Sequence, residues 1–186
     1  MAENVRCFIA AKIPATPPLR EVLEALGEMG RAVKPVSADN LHVTLKFFGD
    51  VPREQTAAIG RTLQEVTASV EAFEVTLKGL GAFPHPGRPS VIWAGMDEAE
   101  PLIQLAAELE DQLESQGFVR ESRPFHPHLT LARIKARPPE SLRGLLQQCE
   151  SSEFGAAHID HVDLYESELR REGPVYTVLA RGELEA

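Results

Sequence analysis

Polar and apolar positions change their period several times along the chain, and each change marks an element. Val5 to Ala11 is apolar except for Arg6, which predicts a buried strand. Thr16 offers an N-cap, with Pro17 at the first helical position. Leu19, Val22, Leu23, Leu26, Met29 and Val33 then recur at threes and fours, which predicts an amphipathic helix. Asn40 to Phe48 alternates as a strand does, and Gly49-Asp50-Val51-Pro52 reads as a turn. Ile59, Leu63, Val66 and Val70 mark a second helix, and Phe73 to Leu77 alternates as another strand. Gly79 to Pro89 is rich in glycine and proline and is expected to be loop. Val91 to Gly95 is a further buried strand. Pro101 opens a third helix with Leu102, Leu105, Leu109 and Leu113 inward, and Gly117 can end it. Pro138-Pro139 opens a fourth, with Leu142, Leu145, Leu146 and Cys149 inward. His158 to Leu164 and Val175 to Ala180 close the chain as strands.

The order strand, helix, strand, helix, strand fills the first half and restarts at Val91. One spelling recurs with it: His42-Val43-Thr44-Leu45 and His128-Leu129-Thr130-Leu131, 86 residues apart. Val5 and Val91 share that offset. An internal duplication is expected. Each half should form a sheet that needs cover on one face, with two helices to supply it. No flexible linker separates the halves. The expectation is a single domain over 1–186, with lobes of roughly 1–90 and 91–186.

Alternation gives the repeated spelling its chemistry. Leu41, Val43, Leu45 and Phe47 fall on an apolar face; Asn40, His42, Thr44, Lys46 and Phe48 fall on the other. His42 and Thr44 would project together, about 7 Å apart along the strand. The second copy places His126, His128, Thr130 and Ala132 on its polar face. If a pseudo-two-fold axis faces the two strands across a groove, two imidazoles and two hydroxyls converge. Such a set suits in-line phosphoryl chemistry. One neutral histidine takes a proton from water, one protonated histidine gives a proton to the leaving oxygen, and the threonines donate to non-bridging oxygens. A lone His-x-Thr has little weight, since a histidine on a strand is usually structural; two copies at the repeat offset carry much more.

Composition narrows the partners. The net charge is −9, the wrong sign for a protein that grips long nucleic acid by its phosphates, but compatible with a short end held in a local basic cleft. Hydrophobic content of 43% is enough for a core. No apolar stretch approaches membrane-spanning length, and the first residues lack a signal-peptide layout, so a cytoplasmic location is expected. Cys7 and Cys149 form neither a disulfide framework nor a zinc set and read as buried thiols. His126-x-His128 and His158-x-x-His161 could ligate metal, yet no further ligands complete a site. His85, in its Pro-Gly loop, is expected to be exposed.

With these residues on view, the chain resembles the 2H phosphoesterases, and within them the RNA 2′,3′-cyclic phosphodiesterases, first described as 2′-5′ RNA ligases. The likeness runs through Arg6 to Ala10, Asn40 to Gly49, Gly79 to Pro84 and Val91 to Gly95. It continues through Pro127 to Arg133 and Leu164 to Ser167, with Gly173 and Tyr176. It implies an α/β (α+β) bilobal fold, two antiparallel-rich sheets lining a central cleft with helices outside. It implies metal-independent hydrolysis of a 2′,3′-cyclic phosphate on RNA ends or nucleotides to a 2′-phosphomonoester. His42 would be the general acid, His128 the general base, and Thr44 and Thr130 the phosphate ligands. No cofactor, no membrane partner and a monomer are expected. Three residues keep two readings each. Arg133 contacts phosphate if a bulge or the strand end turns it off the apolar face, and is otherwise structural. Lys46 adds charge to the motif face or is a solvated strand-end lysine. Phe48 stacks on a base or packs in the core. Arg6 is a weaker cleft candidate. RNA ligation, the reverse reaction, and a non-enzymatic RNA- or nucleotide-binding module are the alternative functions.

Overall fold

The computed structural model describes residues 3–186. Nine strands and four α-helices follow one another as β1 (Asn4–Lys12), α1 (Pro17–Gly27), β2 (Val33–Pro35), β3 (His42–Pro52), α2 (Thr56–Thr67), β4 (Phe73–Phe83) and β5 (Val91–Asp97), then α3 (Glu100–Ser115), β6 (Leu129–Ile134), α4 (Ser141–Gln148), β7 (Glu153–Ile159), β8 (His161–Arg170) and β9 (Gly173–Glu183). The strands form two sheets, ordered β3-β1-β8-β9 and β2-β6-β5-β4-β7, and every named pairing is antiparallel. Among the described residues no helix is long and apolar enough to cross a membrane.

The two sheets are not the two halves of the sequence. β4 belongs to the first half but pairs with β5, and β8 and β9 belong to the second half but extend β1. The reason is local: a short connection makes an antiparallel hairpin the cheapest way to continue a strand. The loop 84–90 folds β5 back on β4, and β8 turns directly into β9. The helices are shared out as well. α1 lies on β2, β6 and β7, while α3 lies on α2 and β3. One continuous apolar core therefore runs through both lobes, from Ile9 and Leu41 to Leu109 and Leu131.

The repeat offset also shifts. Ala10 pairs with Thr44, and Trp93 pairs with Thr130. Thr44 follows Ala10 by 34 residues and Thr130 follows Trp93 by 37, so β1 and β5 correspond at 83 rather than 86. The second connection is longer by three.

Helix cores fall where their periodicity places them, with the ends moved. α1 stops at Gly27, and Val33, expected in the helix, begins β2. Most of β7 was not expected, and the expected strand 158–164 is broken at Asp160 into the end of β7 and the start of β8. Two glycine-rich stretches continue strands instead of ending them. Gly49 (φ +71) lets β3 run on to Pro52 against Asn4 to Cys7, and Gly79 (φ +76) lies at a register shift in β4, which runs on to Phe83. A positive φ is open to glycine at little cost. Each glycine carries a bulge, a role that sequence alone does not separate from a turn.

Gly49→Ala should destabilise the fold by about 1–2 kcal/mol through backbone strain alone. Gly79→Ala should cost more, because its Cβ would also stand 2.7 Å from the Glu150 carbonyl oxygen. Urea denaturation of both variants checks the order.

Candidate active site

Both motif strands carry the same irregularity. Directly paired residues of an antiparallel ladder project to one face. On β3, Thr44 pairs with Ala10, but Ile9 pairs with Lys46, so Leu45 is the extra residue of a bulge. On β6, Thr130 pairs with Trp93, but Ile92 pairs with Ala132, so Leu131 is extra. After each bulge the facing is reversed. Lys46 and Ala132 turn into the core beside Ile9 and Ile92; Phe47, paired with Phe8, and Arg133, paired with Val91, turn to the threonine side. Phe47 and Arg133 are thus equivalent positions in the two copies.

The bulges decide which way three predicted residues face. Arg133 is brought to the cleft face by a bulge. From the second sheet, its charge bears on two groups of the first: it adds to the burial that lowers the pKa of His42, and it opposes the burial that raises the pKa of Tyr176. Lys46 is not there. It is 5% exposed, and its ammonium donates to Glu110 Oε1 and Oε2 of α3 (2.9 and 3.0 Å) and to the Val119 carbonyl (2.9 Å). Its three donors are spent on holding α3 against β3. Phe48 is also turned away and meets Phe118 edge-to-face at 5.5 Å, which is core packing. Phe47 takes the place expected for Phe48. It is 51% exposed, and the Arg6 guanidinium lies 4.8 Å from its ring centroid.

The two histidines are held alike. His42 opens β3, and its Nδ1 lies 2.7 Å from the Asn40 carbonyl oxygen. His128 immediately precedes β6, and its Nδ1 lies 2.8 Å from the His126 carbonyl oxygen. A carbonyl only accepts, so Nδ1 carries the proton in both, and Nε2 is left as the nitrogen that can gain or lose one. His126 reaches the site through its carbonyl and lies before the strand, not on its polar face.

Aromatic rings fix each imidazole. His42 lies between Phe8 (centroids 5.0 Å apart) and Tyr176 (5.3 Å, edge-on). Phe8 stacks in turn on Tyr165 at 5.4 Å. The Tyr165 hydroxyl donates to Asp163 at 3.2 Å; Asp163 is 1% exposed and takes both Arg181 donors at 2.8 and 2.9 Å. Burial and the Asp163 charge push Tyr165 up to about 12, so it stays a neutral donor. On the other side, Phe83 meets His128 edge-on at 5.2 Å and leans on Trp93 at 5.3 Å. Trp93 lies across Gly81, where a Cβ would stand 2.2 Å from the indole ring. Phe8, Phe83, Trp93 and Tyr176 were not singled out as site residues from the sequence. An aromatic in a strand spells the same whether it packs a core or a catalytic ring.

The electrostatics are less symmetric than the geometry. Burial lowers the pKa of His42 below 6.5, the Asn40 carbonyl works against this, and Arg133 adds to the lowering. His42 in the empty cleft therefore favours its neutral form. Its protonation is helped by whatever negative charge enters beside it. Among the described residues no group of three or more His, Cys, Asp or Glu is placed to hold a metal ion. His85 is exposed, Cys7 is buried, and Cys149 is half-buried.

Two sheets about a cleft, each lending one histidine and one threonine, define a two-lobed, two-histidine class of protein. Comparison with known proteins says which. Residues 16–171 match the model of the 2′-5′ RNA ligase superfamily, and the chain belongs to that family. It is 39% identical over 163 residues to the RNA 2′,3′-cyclic phosphodiesterase of Aeropyrum pernix, covering 87% of this chain and 92% of the other. It is 37% identical over 195 residues to the protein of the same name from Thermus thermophilus, covering 95% and 89%. Among solved structures, E. coli LigT complexed with 3′-AMP superposes with a TM-score of 0.76 at 30% identity, covering 99% of this chain and all of the other. The fold, a mixed α/β arrangement of two antiparallel sheets, is the one the resemblance implied.

Lys46→Met should leave the half-buried Glu110 without its partner and cost about 2–3 kcal/mol of stability. Adding Glu110→Leu should restore most of that loss. The KM of the folded fraction should not move in either variant; a raised KM at unchanged stability would return Lys46 to the cleft.

Proposed function

We propose that the protein is a metal-independent RNA 2′,3′-cyclic phosphodiesterase, opening the ring to leave a 2′-phosphomonoester. The observation that carries this is the pair of histidines, each with Nδ1 fixed by a carbonyl and Nε2 left for proton transfer. The relatives' names support it. His128 Nε2 takes a proton from water as the water oxygen attacks phosphorus. The bond from phosphorus to the 3′ oxygen breaks, and His42 Nε2 gives its proton to that oxygen. Thr44 and Thr130 donate to the non-bridging oxygens, and Arg133 balances the charge that gathers on them. This arrangement needs no metal.

The assignment of acid and base rests on the family resemblance. Burial alone would hold His42 neutral in an empty cleft, the form a base takes and not an acid. The phosphate anion reverses this, because a negative charge beside a buried imidazole favours its cation.

Incubation with an oligoribonucleotide 2′,3′-cyclic phosphate in EDTA should give a 2′-phosphate. Activity only on addition of metal would contradict the mechanism. His42→Ala and His128→Ala should each lower kcat by about 10²–10⁴-fold. Their roles separate on a phosphodiester whose leaving group is p-nitrophenolate, which departs without a proton. There His42→Ala should recover most of its rate and His128→Ala should not.

The pH profile of kcat/KM should be bell-shaped, and one of its limbs belongs to His42. Because burial lowers that group, its limb should lie below 6.5. Arg133→Leu removes one cause of the lowering, so this limb, and not the other, should move to higher pH. Two limbs above 6.5 would contradict the placement of His42.

A further inference from the structure

The acidic residues of this chain are unevenly spread. Residues 75–96 and 122–139 contain none of its 28 Asp and Glu, yet hold Lys78, Arg88, Arg123, Arg133, Lys135 and Arg137. These two stretches carry β6 and most of β4 and β5, in the sheet whose β6 follows directly on His128; Lys78 is taken up by Asp97 at 3.1 Å, and the arginines and Lys135 are what remain. At their outer end, the loop 84–90 and the segment from Ile134 to Arg143 enclose an open pocket of about 430 Å³. Arg88, Arg137 and Arg143 line it, and Glu140 is its one carboxylate. Glu140 stands at the start of α4, where a negative charge is favoured by the helix dipole. Among the described residues no side chain pairs with any of the three guanidiniums, whereas Arg53, Arg120, Arg170 and Arg181 all sit on carboxylates.

Both walls of the pocket start at the active site. One leaves Phe83, whose ring meets His128; the other leaves Arg133. Ser90 ties them together, its N–H bonding to the Phe83 carbonyl (2.7 Å) and its carbonyl accepting from the Ile134 N–H (2.9 Å). Arg137 follows Arg133 by four positions, at most about 14 Å of chain. Four prolines line the pocket and restrict its backbone, so its shape is largely set before anything binds.

We propose that this pocket holds the backbone phosphates of an RNA strand whose terminal 2′,3′-cyclic phosphate lies between His42 and His128. The inference rests on the phosphodiesterase reading and deepens it: the substrate is an RNA end, not a free cyclic mononucleotide. A cyclic mononucleotide has one phosphate, which the histidines, threonines and Arg133 already engage. Three further unpaired guanidiniums beside that site serve an anion that only a longer substrate brings. Guanidinium groups match phosphate oxygens in geometry as well as in charge.

The test compares two substrates: an unphosphorylated 2′,3′-cyclic mononucleotide and an oligoribonucleotide of several residues ending in 2′,3′-cyclic phosphate. Arg88→Gln, Arg137→Gln and Arg143→Gln are made singly and together, with thermal midpoints showing that each variant is folded. The triple variant should lose kcat/KM on the oligonucleotide by about tenfold or more, and its dependence on log salt should flatten by about 0.7 per contact removed. Its kcat/KM on the mononucleotide should not change. An equal loss on both substrates, or none on the oligonucleotide, would overturn the proposal. Binding of a fluorescent oligonucleotide to the His42→Asn protein, with and without the three substitutions, reads the pocket without turnover. Should the wild type open no cyclic phosphate, the function proposed above fails, while unchanged binding in the triple variant would sink the pocket separately.

Discussion

A single hydrogen bond, made twice, sets the chemistry of this cleft: Nδ1 of a histidine to the carbonyl two residues before it. It fixes the tautomer, and so leaves Nε2 of both imidazoles as the nitrogen that can gain or lose a proton, which is what the proposed mechanism asks of each. The bond is available because each histidine stands where its strand begins. Asn40 and His126 precede the ladders of β3 and β6, so their carbonyls are not engaged by a neighbouring strand. Deeper in a ladder the same carbonyl would be engaged by its neighbour. The place of the motif at the edge of its strand is therefore part of its function, as much as the residues that spell it.

The helices, most strands and the four motif residues were legible in the sequence, because each is written in a period or a repeat. What strict alternation concealed was the residue just past each motif. A bulge sets two consecutive side chains on one face, and its written sign is an apolar doublet followed by a polar residue. Leu131-Ala132-Arg133 has that sign. Leu45-Lys46-Phe47 hides it, because the second inward residue is a lysine that is neutralised by Glu110. Counting by twos therefore kept Lys46 and Phe48 with the histidine and assigned Arg133 to the core face. The partner that makes Lys46 an inward residue lies 64 positions away, and no local pattern could reveal it.

The exchange of strands between sheets was equally out of reach, for it depends on which hairpins close. Its consequence is mechanical. With β4 in the second sheet, β8 and β9 in the first, and α1 and α3 reaching across, neither lobe can move far without disturbing the shared core. The proposed mechanism needs two groups on separate lobes to keep their spacing to a fraction of an ångström to act on one phosphate. A fold in which each sheet borrows strands from the other half of the chain meets that demand better than two lobes joined by a hinge.

The net charge of −9 then acquires a meaning beyond compatibility. If acidic and basic residues were mixed evenly, the cleft would repel phosphate along with the rest of the surface. Instead the acids are withdrawn from the two stretches that bear the second sheet, and the surface elsewhere stays negative. A long duplex laid over such a molecule would meet repulsion on most of its length, which falls off only over a Debye length of about 8 Å. In the proposed mode, a strand end meets three arginines against one carboxylate, Glu140, in the pocket beside the cleft. If the proposed substrate is right, the same distribution that attracts one phosphate disfavours the many, and selection for ends needs no group that reads an end as such.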